Sequence, residues 1–285
     1  VKRLIFGCGY LGRRVADIWC RAGDTVYAVT RSQTHSRAFE KAGFFPMVAD
    51  ILLPDSLADL PKVDTVLFAV GYDRTSQASI HQVYVDGLRN VLDALPDHPF
   101  KILYISSTGV YAENEGGWVD EDSPTSASRD ATQACLDAEQ LLQTHPRNLD
   151  FKILRCAGIY GPDRLPRRDA LLAGNPLPFP PAGYLNLIHV DDASQAVDAA
   201  AVRGATGIYS IADGSPTRRE DYLNELARLL GASPPEFAVA MGNTPRRGAT
   251  SKRVRNDRMR NELGVRLRYP SYREGLAAIV KIDNR

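Results

Sequence analysis

The chain has 285 residues, with 35 Lys and Arg against 34 Asp and Glu, 44% hydrophobic residues and a formal net charge of +1. That composition excludes disordered and fibrous classes, and the even charge balance gives no global attraction to nucleic acid or to an acidic membrane surface. No apolar run reaches the length of a membrane span, and the N-terminal strand-like run meets glycine too soon for a secretory signal. Cys8, Cys20, Cys135 and Cys156 show neither metal-ligand spacing nor a disulfide framework. The expectation is a cytoplasmic α/β protein that holds no metal and acts on a small molecule, with no nucleic-acid or membrane partner. Monomer and homodimer both stay open.

Strand and helix signals alternate from the start. Leu4-Ile5-Phe6 reads as a buried parallel strand, and Leu11, Val15, Ile18, Trp19 and Ala22 mark one face of a helix that stops at Gly23. Further strands are predicted at residues 25–29, 45–49, 65–70, 101–106 and 151–154, with a short helix from His35 and a longer one carrying Val83, Leu88, Val91, Leu92 and Leu95. Such alternation predicts a Rossmann-type parallel sheet with helices on both faces. After Cys156 proline and glycine thicken, as in loops over a cleft. Beyond them lie a helix at 191–202, a strand at 208–212, and an amphipathic helix at 217–230 with Thr217 as its N-cap and Gly231 at its end. Two last helices fall near 257–263 and 272–280. The division expected is a dinucleotide-binding domain over 1–155 and a substrate-side region over 156–285, with elements returning to the first sheet.

Gly7, Cys8, Gly9, Tyr10, Leu11 and Gly12 match G-x-G-x-x-G between a strand and a helix, the setting in which that pattern receives a dinucleotide pyrophosphate. The helix N-terminus then presents free N–H groups to the phosphates. At the end of the second strand, where an NAD site usually places Asp or Glu, stand Thr30, Arg31 and Ser32. Arg31 can pair with a 2′-phosphate, which favours NADP, with NAD as the alternative.

Three later stretches complete a pattern: Ile105 to Tyr111, Leu154 to Pro162, and His189-Val190-Asp191-Asp192. Together with the glycine loop they resemble the extended short-chain dehydrogenase/reductase superfamily, the NAD-dependent epimerase/dehydratase group, and most closely its atypical members. The resemblance implies an oxidoreductase or epimerase of a small or sugar-nucleotide substrate. It also implies Asp50 and Ile51 on the adenine side, the backbone of Ala69, Val70 and Gly71 along the cofactor, and Ser107 as the group that bonds the reacting oxygen. The family's Y-x-x-x-K is missing: Ala131 stands in the tyrosine position and Cys135 in the lysine position.

Replacements for that acid are Tyr111 and Tyr160, with Cys135 as a thiol acid or simply as packing. The resemblance makes His189, Asp191 and Asp192 a structural turn. Arg164, Arg167 and Arg168 follow the Tyr160-Gly161-Pro162 turn, where Arg164 and Arg168 are candidates for an anionic substrate. A second basic stretch, Arg246, Arg247, Lys252, Arg253, Arg255, Arg258 and Arg260, reads either as a phosphate or polyanion site or as a solvated helix face. The leading expectation is an NADP-binding member of the group that has lost its usual acid. The alternative is a non-catalytic module that holds NADP(H) and senses its redox state.

Overall fold

Seven apolar runs become the strands of one parallel sheet in the computed structural model, which describes residues 1–127, 129–238 and 251–283. They are β1 Lys2–Phe6, β2 Thr25–Thr30, β3 Phe45–Val48, β4 Thr65–Phe68, β5 Lys101–Ser107, β6 Asp150–Cys156 and β7 Gly207–Ile211. Their order across the sheet is β7-β6-β5-β4-β1-β2-β3, so the direction of progression reverses between β1 and β4. Such a reversal opens a crevice at the carboxyl ends of the strands, and the loops after β1 and β4 border it.

The strands read as continuous apolar runs because both faces are covered. Ile5 faces one core with Val15, Trp19, Ala193 and Val197, while Leu4 and Phe6 face the other with Val66, Leu88 and Val91. On the first face α1 (Tyr10–Arg21) packs against a later helix, Val190–Val202, and the Trp19 indole donates to Asp198 at 3.0 Å. Next along the chain come α2 (Gln33–Lys41), α3 (Gly87–Ala94) and α4 (Asp130–Gln143). A π-helical turn, Gln82–Asp86, leads into α3, so the predicted long helix is continuous in direction but changes its winding.

The Val190–Val202 helix is α5, followed by α6 (Arg219–Leu230) and α7 (Tyr272–Asp283). The segment after β6 returns to the sheet through β7, which pairs with β6. Its own core gathers Tyr160, Leu171, Phe179, Leu223, Leu226 and Leu276. Gly231 ends α6 in the left-handed region at φ +65°, as its sequence position predicts. Thr217 is not the cap of that helix: Thr217 and Arg218 pair as a short strand with Tyr184–Leu185, and Arg218 precedes the first turn. Two other small pairs, Trp118–Val119 with Arg253–Val254 and Gly158–Tyr160 with Leu187–His189, tie the C-terminal segments to the loops beyond β5 and β6.

Candidate functional site

The glycine loop shows what each position requires. Gly7 has φ +85°, and a Cβ there would lie 2.4 Å from the Ala69 carbonyl carbon, so the turn after β1 touches the end of β4. A Cβ on Gly12 would lie 2.4 Å from the Gly7 carbonyl oxygen, which is how α1 packs so closely on the loop. Gly9 is different: nothing lies within 4 Å of its missing Cβ. That open space, at the N-cap of α1, is where a pyrophosphate can reach the backbone.

A cavity of about 590 Å³ extends from this loop, lined by Gly7, Cys8, Gly9, Thr30, Arg31, Ser32, Asp50, Ile51, Val70 and Gly71 among others. Ten of the expected cofactor residues therefore share one wall. Tyr10, Leu11, Gly12 and Ala69 do not line it. Leu11 lies in the core, while Gly12 and Ala69 shape the loop from behind. Tyr10 points the other way, donating from its hydroxyl to the Pro162 carbonyl at 2.8 Å with Arg14 and Arg164 over its ring. Cys8 is a neutral thiol, pushed by burial up to about 12.

At the ribose end, no carboxylate lies within 4 Å of the Arg31 guanidinium among the described residues. Ser32 caps α2 by accepting from the His35 N–H, and His35 joins Arg31 in the cavity wall. His35 is a site residue that the sequence reading missed; its signal is its position one helical turn beyond Arg31. Asp73 also lines the cavity, but its carboxylate accepts from the Thr75 N–H and hydroxyl at 2.9 and 2.7 Å, which hold it below its usual range. Asp50 accepts from the Leu52 N–H through one oxygen at 2.9 Å.

Beyond the cofactor wall, Ser107 ends β5 with an exposed side chain whose oxygen accepts from the Gly109 N–H at 3.1 Å. Its own proton is left to donate. Neither replacement tyrosine reaches this region. Tyr111 is 2% exposed, and its hydroxyl meets the Ser210 hydroxyl at 2.6 Å beneath the Arg155 guanidinium. Tyr160 is fully buried, packed edge-on against His189, with its hydroxyl donating to the Ser271 carbonyl. Burial raises the pKa of both phenols. Cys135 is buried in α4 and its thiol is pushed by burial up to about 11, while Ala131 is exposed. All three replacement acids are thus turned into packing.

The remaining clusters separate by role. His189 accepts from the Asp191 N–H, and the Asp192 carboxylate accepts from the Arg268 and Tyr269 N–H groups, a structural arrangement at the start of α5. Arg164 and Arg168 border a second cleft of about 500 Å³, with Arg167 outside it over the Phe179 ring. The second basic stretch is neither one site nor one face. Arg246 and Arg247 lie outside the described residues, Arg253 and Arg255 stack on Trp118, Arg258 pairs with Asp122 at 3.0 Å, and Lys252 is buried. Among the described residues no group of three His, Cys, Asp or Glu is placed to hold a metal ion, and no helix is long and apolar enough to cross a membrane.

The sequence profile of the NAD dependent epimerase/dehydratase family matches residues 4–212. This chain belongs to that family. Protein YeeZ of Escherichia coli is 28% identical over 277 residues, covering 94% of this chain and 96% of its own. The 3-diazoavenalumate denitrifying reductase of a Streptomyces species is 34% identical over 169 residues, about half of each chain (54% and 55%). Among solved structures, an NAD-dependent epimerase/dehydratase relative from Methylobacillus flagellatus superposes with a TM-score of 0.79 at 31% identity, covering 100% of this chain and 99% of its own.

Proposed function

We propose that the chain binds NADPH in the glycine-loop cavity and works as a reductase of a small organic substrate, not as a sugar-nucleotide epimerase. The observation that carries the cofactor half is the end of β2, where Arg31 and Ser32 stand in place of the usual acid and line the cavity with His35, while Asp73 of the same wall accepts from Thr75 and feels the Arg31 charge. The bound dinucleotide would supply a hydride. The chain's part is to hold it and to orient what receives it. Gly7, Gly9 and the first turn of α1 bind pyrophosphate, Arg31 pairs with the 2′-phosphate, and Asp50 accepts from the adenine amine. Ser107 donates a hydrogen bond to the substrate oxygen, which takes its proton from solvent as the hydride arrives, and Arg164 and Arg168 border the outer cleft.

The reductase half draws support from the name of the Streptomyces relative. Carbonyl reduction takes up one proton and epimerisation takes one and returns it, both tasks for a positioned acid–base, and the Tyr–Lys pair is absent at Ala131 and Cys135. The same absence favours a second reading, a module that holds NADP(H) without turnover. Parallel fluorescence titrations of NADPH and NADH test the shared part. NADPH should bind tighter by roughly tenfold or more, and Arg31→Ala should level the two. Equal affinities in the wild type would sink the assignment. Single-turnover oxidation of bound NADPH by candidate carbonyl or imine acceptors then separates reductase from module.

A further inference from the structure

Two cations lie near the end of β5 beside Ser107, neither in an ion pair within 4 Å among the described residues. Lys252 is 5% exposed, and its ammonium donates to the Tyr111 carbonyl, just past the end of β5. Its backbone is pinned on both sides: the Asn186 amide donates to the Lys252 carbonyl at 2.9 Å and accepts from the Val254 N–H at 2.8 Å. The side chain is therefore placed by the fold, not left to fold over an apolar surface. Arg129 precedes α4, two residues before Ala131. Its guanidinium lies 3.7 Å from the point where a Cβ on Gly109 would sit, and the Ser107 hydroxyl lies 3.2 Å from the same point.

Neither cation has a carboxylate within 4 Å among the described residues, and Arg129 makes no side-chain hydrogen bond there. They feel one another: burial and the Arg129 charge draw the Lys252 ammonium down to about 8. Glu113 is the acid that faces Lys252 from beyond 4 Å; one of its oxygens accepts from the Glu115 and Gly117 N–H groups at 2.6 and 3.1 Å, and its charge offsets only part of the two positive ones. A buried ammonium next to a guanidinium is costly to hold unless an anion is to be received.

We propose that Arg129 and Lys252 form an anion pocket beside Ser107 which receives an acidic oxygen group of the substrate, a carboxylate or a phosphate. The proposal rests on the reductase reading and gives its substrate a class: a small organic acid whose reducible group reaches Ser107 while its anionic group sits on the two cations. The planar guanidinium takes two oxygens of such a group and the ammonium a third contact or a shared one.

Thermal melting of the full chain with saturating NADPH, against benzoate and against inorganic phosphate, tests it. The cofactor fills the phosphate positions of the glycine loop, so a further anion must find another site. The expected result is protection by at least one anion, with half-saturation weakened roughly tenfold or more in Arg129→Gln and in Lys252→Gln. Protection by benzoate alone identifies a carboxylate, and by phosphate alone a phosphoester. No protection of the wild type, or protection untouched by both substitutions, overturns the proposal. NADPH affinity is read by fluorescence on the same samples. If it is absent the cofactor reading fails, and the benzoate series on cofactor-free protein still judges the pocket by the same two outcomes. Should Lys252→Gln fail to fold, NMR of ¹³C-labelled lysine side chains decides. Arg129→Gln should move the Lys252 titration midpoint upward, and an anion that protects should do so in the wild type. A midpoint unmoved by both overturns the pocket.

Discussion

Gly9 and Gly12 lie three residues apart, at the N-cap and in the first turn of α1, yet the structure asks different things of them. A valine at position 9 projects into open space, so Gly9→Val should lose at least roughly a hundredfold in cofactor affinity, its stability cost confined to the unusual backbone angles there (φ −95°, ψ −139°). An alanine at position 12 strikes the Gly7 carbonyl, so Gly12→Ala should lose about 1–3 kcal/mol of stability before binding is considered. Circular dichroism melts and NADPH titrations on the two variants check both outcomes. The same contrast shows what single residues disclose in a sequence. Gly7 and Gly9 were legible because a local motif fixes the backbone they need, and Arg31 was placed in the cavity wall by its position just after an apolar strand. Tyr111 and Tyr160 were not, because the direction of a side chain depends on partners such as Ser210 and Ser271, 99 and 111 residues away. Lys252 was hidden within a basic run, and the pairing of Arg253 with Trp118 and the Asn186 amide, 66 residues away, bring it inward to the end of β5.

At the scale of elements, α4 is attached to the sheet by a buried charge group. Glu139 accepts from the Ser106 hydroxyl at 2.6 Å and from Arg155 at 3.1 and 2.7 Å, which joins the helix to β5 and β6 together. Removing the acid leaves the Arg155 charge buried and unpaired, so Glu139→Ala should cost roughly 3–5 kcal/mol, measured by denaturant unfolding. Asp213, just after β7, carries a pH signal. It is 5% exposed, and burial, with Asp192 and Glu274 nearby, pushes its carboxyl up to about 8 from 3.8. A folded value above the unfolded one means that the stabilising contribution is complete below about 4 and is lost as pH rises through about 8. Asp213→Asn should therefore flatten the fall in melting temperature between pH 5 and pH 8.5. The seven sheet strands were readable because burial on both faces makes each a continuous apolar run. The two- and three-residue pairs were not, since so short a strand has no period of its own and forms only where a distant segment meets it. The π turn before α3 likewise left no mark in the spacing of its apolar residues.

For the whole molecule, the sheet order places the glycine-loop cavity, and the segment after β6 lines a separate cleft at Asp163–Asp169. This division explains why the family and its cofactor loop can be read from the chain while the reaction cannot. The proposed cofactor wall is built from the ends of the first four strands, whereas the residues proposed to meet substrate come from segments far apart in the chain, Ser107, Arg129, Arg164, Arg168 and Lys252. With Ala131 and Cys135 in the Tyr and Lys positions and Tyr111 and Tyr160 buried on other partners, turnover of common sugar nucleotides should be undetectable or slower by about 10²–10⁴-fold than an acid-assisted reaction. Robust epimerisation of UDP-glucose would show that an acid has been overlooked. The central claim is that the cavity reads the 2′-phosphate through Arg31, and adenine-side fragments test it without any nicotinamide. Calorimetric titration with 2′-phospho-ADP-ribose and with ADP-ribose should show the phosphorylated fragment binding roughly tenfold or more tightly, a difference that disappears in Arg31→Ala. Equal binding of the two fragments by the wild type, or tighter binding of ADP-ribose, would contradict it.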